Sequence, residues 1–140
     1  MPRSRKRKDL LLKALEAELG ETAEDLTKLC TDDVVGWSPL VSLSGLPALA
    51  ELSAIRELAF SNVVVLTRGL DEVGNKVFAE WVVEADHTGP YVLSDDAVIE
   101  PTGRRVKLAG VTVAEFRGEK IRAFRTYFDD LSLIEQLVDA

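Results

Sequence analysis

The hydropathy rhythm of this chain changes once, near Phe60, and that single change restricts the fold more than any other feature. Before it, apolar residues recur at helical spacing. After it, β-branched and aromatic residues alternate with polar ones over long runs. Helices gathered at one end of a sequence and long neighbouring strands at the other predict an α+β domain, not a doubly wound one.

The helical half opens with residues 9–19 (DLLLKALEAEL), where Leu11, Leu15 and Leu19 share one face and Gly20 marks the stop. Thr22 caps a short second helix, TAEDLTKL, with Asp25 completing a capping-box pattern. VVGWSPLVSL follows, and its Gly36 and Pro39 predict an irregular strand or loop. Pro47 fits the first turn of a third helix running to about Phe60. The strand half begins with SNVVVLTRGL, then KVFAEWVVEAD after Gly74-Asn75. Residues 88–100 read as a loop with one short strand. RRVKLAGVTVAEF and KIRAFRTYF form a hairpin around a turn at 117–120, and DLSLIEQLV returns to helical spacing. No linker or repeat divides residues 1–140, so a single domain is expected, with residues 1–8 as a flexible basic tail.

Composition narrows the functional classes. With 46% hydrophobic and 29% charged residues the chain reads as soluble and globular. No apolar run approaches the roughly 20 residues that span a bilayer, and Leu10 to Leu12 give way at once to Lys13 and Glu16. No membrane partner and a cytoplasmic location are the expectations. A net charge of −7 argues against nucleic acid, despite the basic cluster from Arg3 to Lys8. The single cysteine, Cys30, and the single histidine, His87, suggest neither a disulfide framework nor a metal site. Cys30 reads as a buried apolar residue.

Strand alternation sorts side chains onto two faces. In the strand after Asn75, one face carries Val77, Ala79, Trp81, Val83, Ala85 and His87, and the other carries Phe78, Glu80, Val82, Glu84 and Asp86. The carboxylate-rich face belongs outside, which places Trp81 inward and His87 near the inner rim. Pairing Phe116 with Ile121 across a four-residue turn sets Ala114 against Ala123, Thr112 against Arg125 and Gly110 against Tyr127. Ile121, Ala123, Arg125, Tyr127 and Asp129 then share the inner face, while Phe124 and Phe128 lie outside where a partner subunit would bury them. A bulge would flip part of this register, so Glu115 takes no face.

EWVVEADHTGPY, PTGRRVKLAGVTVAEFRGEKI and RTYFDDLSLIEQL together resemble the SnoaL-like polyketide cyclases of the nuclear transport factor two-like superfamily, over about residues 74–138. The resemblance implies a cone-shaped curved sheet wrapped around N-terminal helices, with a short C-terminal helix and a homodimer formed through the outer sheet face. It also implies cofactor-free ring closure by aldol or isomerase-type proton transfer, with the acid/base aspartate of the last strand falling on Asp129. This chain has no tyrosine before Tyr91 to act as the oxyanion donor of the superfamily's steroid isomerases.

The candidate catalytic residues are therefore Asp129, His87 and Tyr127, with Trp81, Trp37 and Arg125 lining the site of a hydrophobic small-molecule ligand. No cofactor or metal is called for. Each has a competing structural role. Asp129 and Asp130 both suit the N-cap of the last helix, so one can cap while the other works. A non-catalytic ligand-binding or dimer-forming domain of the same fold is the rival reading.

Overall fold

A computed structural model describes residues 2–19, 26–39, 42–50, 59–94 and 96–138. Helix α1 spans Pro2–Leu19 and a 3-10 turn spans Leu26–Leu29. Strands β1 (Cys30–Trp37) and β2 (Ser42–Ser44) follow, and residues 46–50 begin helix α2. Then come β3 (Phe60–Val73), β4 (Lys76–His87), β5 (Tyr91–Ser94), β6 (Ala97–Ile99), β7 (Arg105–Arg117), β8 (Lys120–Phe128) and helix α3 (Asp130–Val138). The expected helix over TAEDLTKL is described only in its last turn, and the third helix only in its first residues.

Six strands form one curved sheet in the order β2-β1-β8-β7-β4-β3, and β5 and β6 pair separately. The α+β class holds. The segment expected to be an irregular strand or loop holds the end of β1, an internal strand that runs parallel to β8, with a register shift between Cys30 and Val35, and antiparallel to β2. Gly36 makes this possible, because a Cβ there would overlap the Phe124 ring that lies across it. The basic N-terminal run is helical from Pro2. Arg7 donates to the carbonyls of Gly118 and Gly74 at 3.1 and 3.4 Å, and Lys6 pairs with Glu119 at 3.0 Å. The start of α1 thus sits against both hairpin turns.

The β4 alternation is as the sequence implies: β4 pairs with β7 without interruption from Lys76↔Glu115 to Asp86↔Arg105. The β8 register is not. Phe116 does pair with Ile121, and Arg117 pairs with Lys120, so the turn is the two residues Gly118 and Glu119. Gly118 takes φ 63°, the left-handed conformation glycine adopts without strain. Beyond Ile121 the pairing slips: Glu115 meets Ala123 and Ala114 meets Phe124, leaving Arg122 as a bulge. Every later β8 side chain changes face. Phe124, Thr126 and Phe128 turn inward, and Ala123, Arg125 and Tyr127 turn outward. The expected outward Phe124 and Phe128 are corrected accordingly. Glu115 falls on the outer face, paired with Arg122 at 3.1 Å and Arg125 at 3.8 Å.

The core forms two clusters. The larger joins Leu11 and Leu15 of α1 to Val34, Val77, Trp81, Phe116, Ile121 and Phe124. The smaller sets Leu133 and Leu137 of α3 on Val106, with Phe60, Tyr91, Ile99 and Leu108 at its margin. Trp81 lies flat over Gly110, where a Cβ would overlap the indole and approach the Tyr127 carbonyl. Gly110→Ala is therefore expected to destabilise the fold by about 2 kcal/mol through overpacking, read as a lower urea midpoint at unchanged slope. A loss under about 0.5 kcal/mol would show that the indole is not held over Gly110.

Candidate functional site

The inner face of the sheet is closed at both ends and accessible between them. At one end Val77, Ala79, Trp81, Thr112, Ala114 and Phe116 are all buried. At the other, Ala85, His87 and Val106 are buried as well. Between these rows Val83, Leu108, Gly110 and Phe128 are only partly buried, with Val63, Val65 and Thr67 of β3 beside them. Val83 pairs with Leu108 and with Val65, and Gly110 with Phe128, so these residues form one band across four strands. Leu108 packs against both core clusters. An apolar band bordered by a few polar groups suits an apolar ligand.

Polar groups stand at both borders. Trp81 Nε1–H donates to Thr112 Oγ1 at 3.0 Å, and Thr112 and Thr126 share a hydrogen bond at 3.0 Å. A buried indole N–H needs such a partner. At the opposite border the Nδ1 of His87 accepts the backbone N–H of Thr102 at 3.1 Å, with Thr102 Oγ1 at 3.0 Å. His87 Nε2 is buried and has no hydrogen-bond partner among the described residues. A donor left in that condition costs about 1–3 kcal/mol. Burial pulls the His87 pKa down from its ordinary value, and the Gly89 backbone opposes that shift. The Phe60 ring lies 5.7 Å from the imidazole and 5.8 Å from the Tyr91 ring.

The structure separates the residues singled out from sequence. Trp81 and His87 lie on the inner face as expected, both fully buried. Trp37, Arg125 and Tyr127 do not. Trp37 and Tyr127 are 41% and 46% exposed on the outer face, their rings 5.1 Å apart. Arg125 sits beside them, turned towards Glu115. The bulge at Arg122 turns Arg125 and Tyr127 outward, and Trp37 is outward because Val34 and Gly36, its alternate neighbours in β1, face the core. Asp129 is exposed, and its Oδ1 accepts the N–H of Ser132 at 3.1 Å, the bond of an N-cap. Asp130 is half-buried and accepts the Tyr91 hydroxyl at 3.2 Å. It opens α3, two residues beyond the end of β8 at Phe128.

The sequence reading did not single out Thr112, Thr126 or Tyr91, and it left open which of Asp129 and Asp130 caps α3. The β8 slip had a signal: Arg122 and Arg125 are an odd number of residues apart, and a regular strand cannot turn both outward. Among the described residues, no group of three or more His, Cys, Asp or Glu is placed to hold a metal ion. Nor is any helix among them long and apolar enough to cross a membrane.

With fold and site in place, the class is that of a cone-shaped α+β protein whose curved sheet presents an apolar inner face. The profile of the SnoaL-like polyketide cyclases matches residues 10–137, and the chain belongs to that family. No curated protein matches it. Among solved structures, it is similar to a protein from Jannaschia sp. CCS1 assigned by likeness to the SnoaL-like polyketide cyclases, with a TM-score of 0.85 and 14% identity over 100% of this chain and 96% of that one. TsrD from Streptomyces laurentii gives a TM-score of 0.80 at 17% identity, covering 97% of each chain. TerC, co-crystallised with polyporic acid, gives 0.72 at 16%, covering 94% of this chain and 98% of that one. At these identities the likeness establishes the fold.

The capping role of Asp129 is open to direct measurement. Asp129→Ala is expected to cost about 1 kcal/mol of stability, whereas Asp129→Asn, which keeps a capping oxygen, costs a few tenths. Equal losses from the two variants would mean the side chain does not cap α3.

Proposed function

We propose that the chain binds an apolar, carbonyl-bearing small molecule along the half-buried band, and that Asp130 exchanges a proton with it in cofactor-free, cyclase- or isomerase-type chemistry. The observation that carries this reading is the register of β8. The bulge puts Phe128 in the band, and just beyond it the half-buried Asp130 meets Tyr91 at the margin of the smaller core cluster, while the exposed Asp129 caps α3. Tyr91 supports the assignment by fixing the Asp130 carboxylate from a position at the margin of the smaller core cluster. A base next to a carbonyl removes an α-proton, and neighbouring donors stabilise the enolate that forms. That TerC, a structural relative, was co-crystallised with polyporic acid supports a small organic ligand for this fold.

Ligand binding without turnover is the second reading, favoured by the hydrogen bond that already occupies Asp130. Anthrone, a tricyclic ketone, serves as the probe for both. The wild-type protein is expected to gain several degrees in melting temperature at saturating anthrone. Val83→Trp, which fills the band, abolishes that gain. Asp130→Asn keeps the gain and loses deuterium exchange at the C10 methylene of anthrone, whose deprotonation gives the conjugated enolate, and Asp129→Asn loses neither. If Val83→Trp binds as well as the wild type, the band is not the pocket. Exchange unchanged in Asp130→Asn leaves binding alone.

We further propose that the outer sheet face joins two copies of the chain. Trp37, Tyr127 and Phe78 are exposed there with Val64 and Leu66, and apolar area of this kind marks an interface. Wild-type protein is expected to sediment at twice the chain mass and Phe78→Lys at the chain mass, both with native circular dichroism. A wild-type monomer at high micromolar concentration would overturn the dimer.

A further inference from the structure

His87 is the one buried titratable side chain on the inner face of β4, and its surroundings fix the position of its hydrogen. A backbone N–H only donates, so the Thr102 N–H at 3.1 Å requires an unprotonated Nδ1. Thr102 Oγ1 accepts from the Arg104 N–H at 3.2 Å, which leaves its own hydroxyl hydrogen free to point at Nδ1, 3.0 Å away. With Nδ1 twice engaged as an acceptor, the neutral ring carries its hydrogen on Nε2. Burial also disfavours a charged imidazolium at this position, and outweighs the opposing Gly89 backbone. The ring cannot exchange its two nitrogens without breaking the Thr102 contacts. The peptide groups on either side hold it in place, His87 N–H donating to the Arg104 carbonyl at 2.8 Å and Gly103 N–H to the His87 carbonyl at 2.9 Å.

Nε2–H is therefore a fixed, buried donor with no hydrogen-bond partner among the described residues. The Phe60 ring neighbours both the imidazole and the Tyr91 ring, so His87 and the Tyr91–Asp130 pair adjoin the same aromatic side chain.

We propose that His87 acts as an uncharged hydrogen-bond donor that selects ligands by a carbonyl or enolate oxygen, an inference that rests on the pocket reading above. A neutral donor stabilises such an oxygen without placing a cation in an apolar site. It also discriminates against ligands presenting an amine or N–H at the same point, where two donors would meet. His87 then supplies neither the base nor a mobile proton. It reads the oxygen while Asp130 handles the carbon-bound hydrogen.

Because the chain has a single histidine, the test is free of overlap. A long-range proton–nitrogen correlation spectrum of the wild type is expected to show Nδ1 unprotonated and Nε2 protonated. Adding anthrone is expected to shift the Nε2–H resonance, and adding dihydroanthracene, the same rings without the oxygen, is not. The wild type should prefer anthrone over dihydroanthracene by about fivefold to tenfold. His87→Phe should bind the two equally, and His87→Gln, which keeps a side-chain N–H near the Nε2 position, should recover part of the preference. A protonated Nδ1, an Nε2–H resonance unmoved by bound anthrone, or a preference surviving in His87→Phe would each overturn the inference. The first two are read on the wild-type protein and hold even if His87→Phe fails to fold. Equal binding of both compounds by the wild type overturns the role of His87 and leaves the pocket standing. Binding of neither overturns the pocket and this inference together.

Discussion

One extra residue in β8, Arg122, decides which side chains meet inside the cone. With the strand unbroken beyond Ile121, Arg125 would point at Thr112 and Tyr127 at Gly110, placing a guanidinium among Trp81 and Thr112. An unpaired buried charge costs several kcal/mol. A bulge forfeits roughly one ladder hydrogen bond, about 1 kcal/mol. The balance favours the bulge, and it also brings Phe124 and Phe128 into the core, each side chain contributing roughly 1.5–3 kcal/mol on full burial. Arg122 and Arg125 then both reach Glu115 on the outer face, exposed pairs that add little energy but leave no buried charge.

The inner surface that results is built from aromatic rings laid over glycines. Trp81 of β4 covers Gly110 of β7, and Phe124 of β8 covers Gly36 of β1. Each contact crosses to a neighbouring strand, so two adjacent strand pairs, β4–β7 and β8–β1, are joined by ring-on-backbone packing as well as by their ladders. The rings lie against the sheet because the glycines have no Cβ. The Trp81 N–H then finds Thr112 on β7, which in turn meets Thr126 on β8. This polar chain depends on the bulge too, since without it Thr126 would face away from Thr112.

The parts of the fold legible in the sequence are those where a local pattern runs uninterrupted. β4 is paired continuously with β7, so simple alternation placed Val77 through His87 correctly, and helices grouped apart from strands gave the α+β class. β8 was misread because Ile-Arg-Ala-Phe-Arg-Thr-Tyr-Phe offers a plausible apolar set in either parity, and hydropathy does not choose between them. The arginine spacing does. β1 was misread for the opposite reason: Gly36, a mark against a central strand, is required there by the Phe124 ring. For the site, family resemblance led to the aspartate pair after the last strand, but resemblance locates a motif without fixing which member faces inward. His87 was placed by alternation, whereas its tautomer depends on Thr102, fifteen residues away in a loop with no recognisable pattern of its own.

The two neighbouring aspartates also differ in what proton exchange would do to the fold. Asp129 holds the Ser132 N–H through a carboxylate oxygen, a charge-assisted bond at the positive end of α3. Taking up a proton there would weaken the cap and the first turn of the helix whose Leu133 and Leu137 cover Val106. A proton cycling through Asp129 would disturb the helix that packs over Val106. Asp130 carries no capping bond. Its partner is a tyrosine hydroxyl, which can follow the carboxylate through a change of protonation by turning its O–H from donor to acceptor. On the proposed assignment, the cap and the proton-handling group sit on adjacent residues and do not compete for one carboxylate.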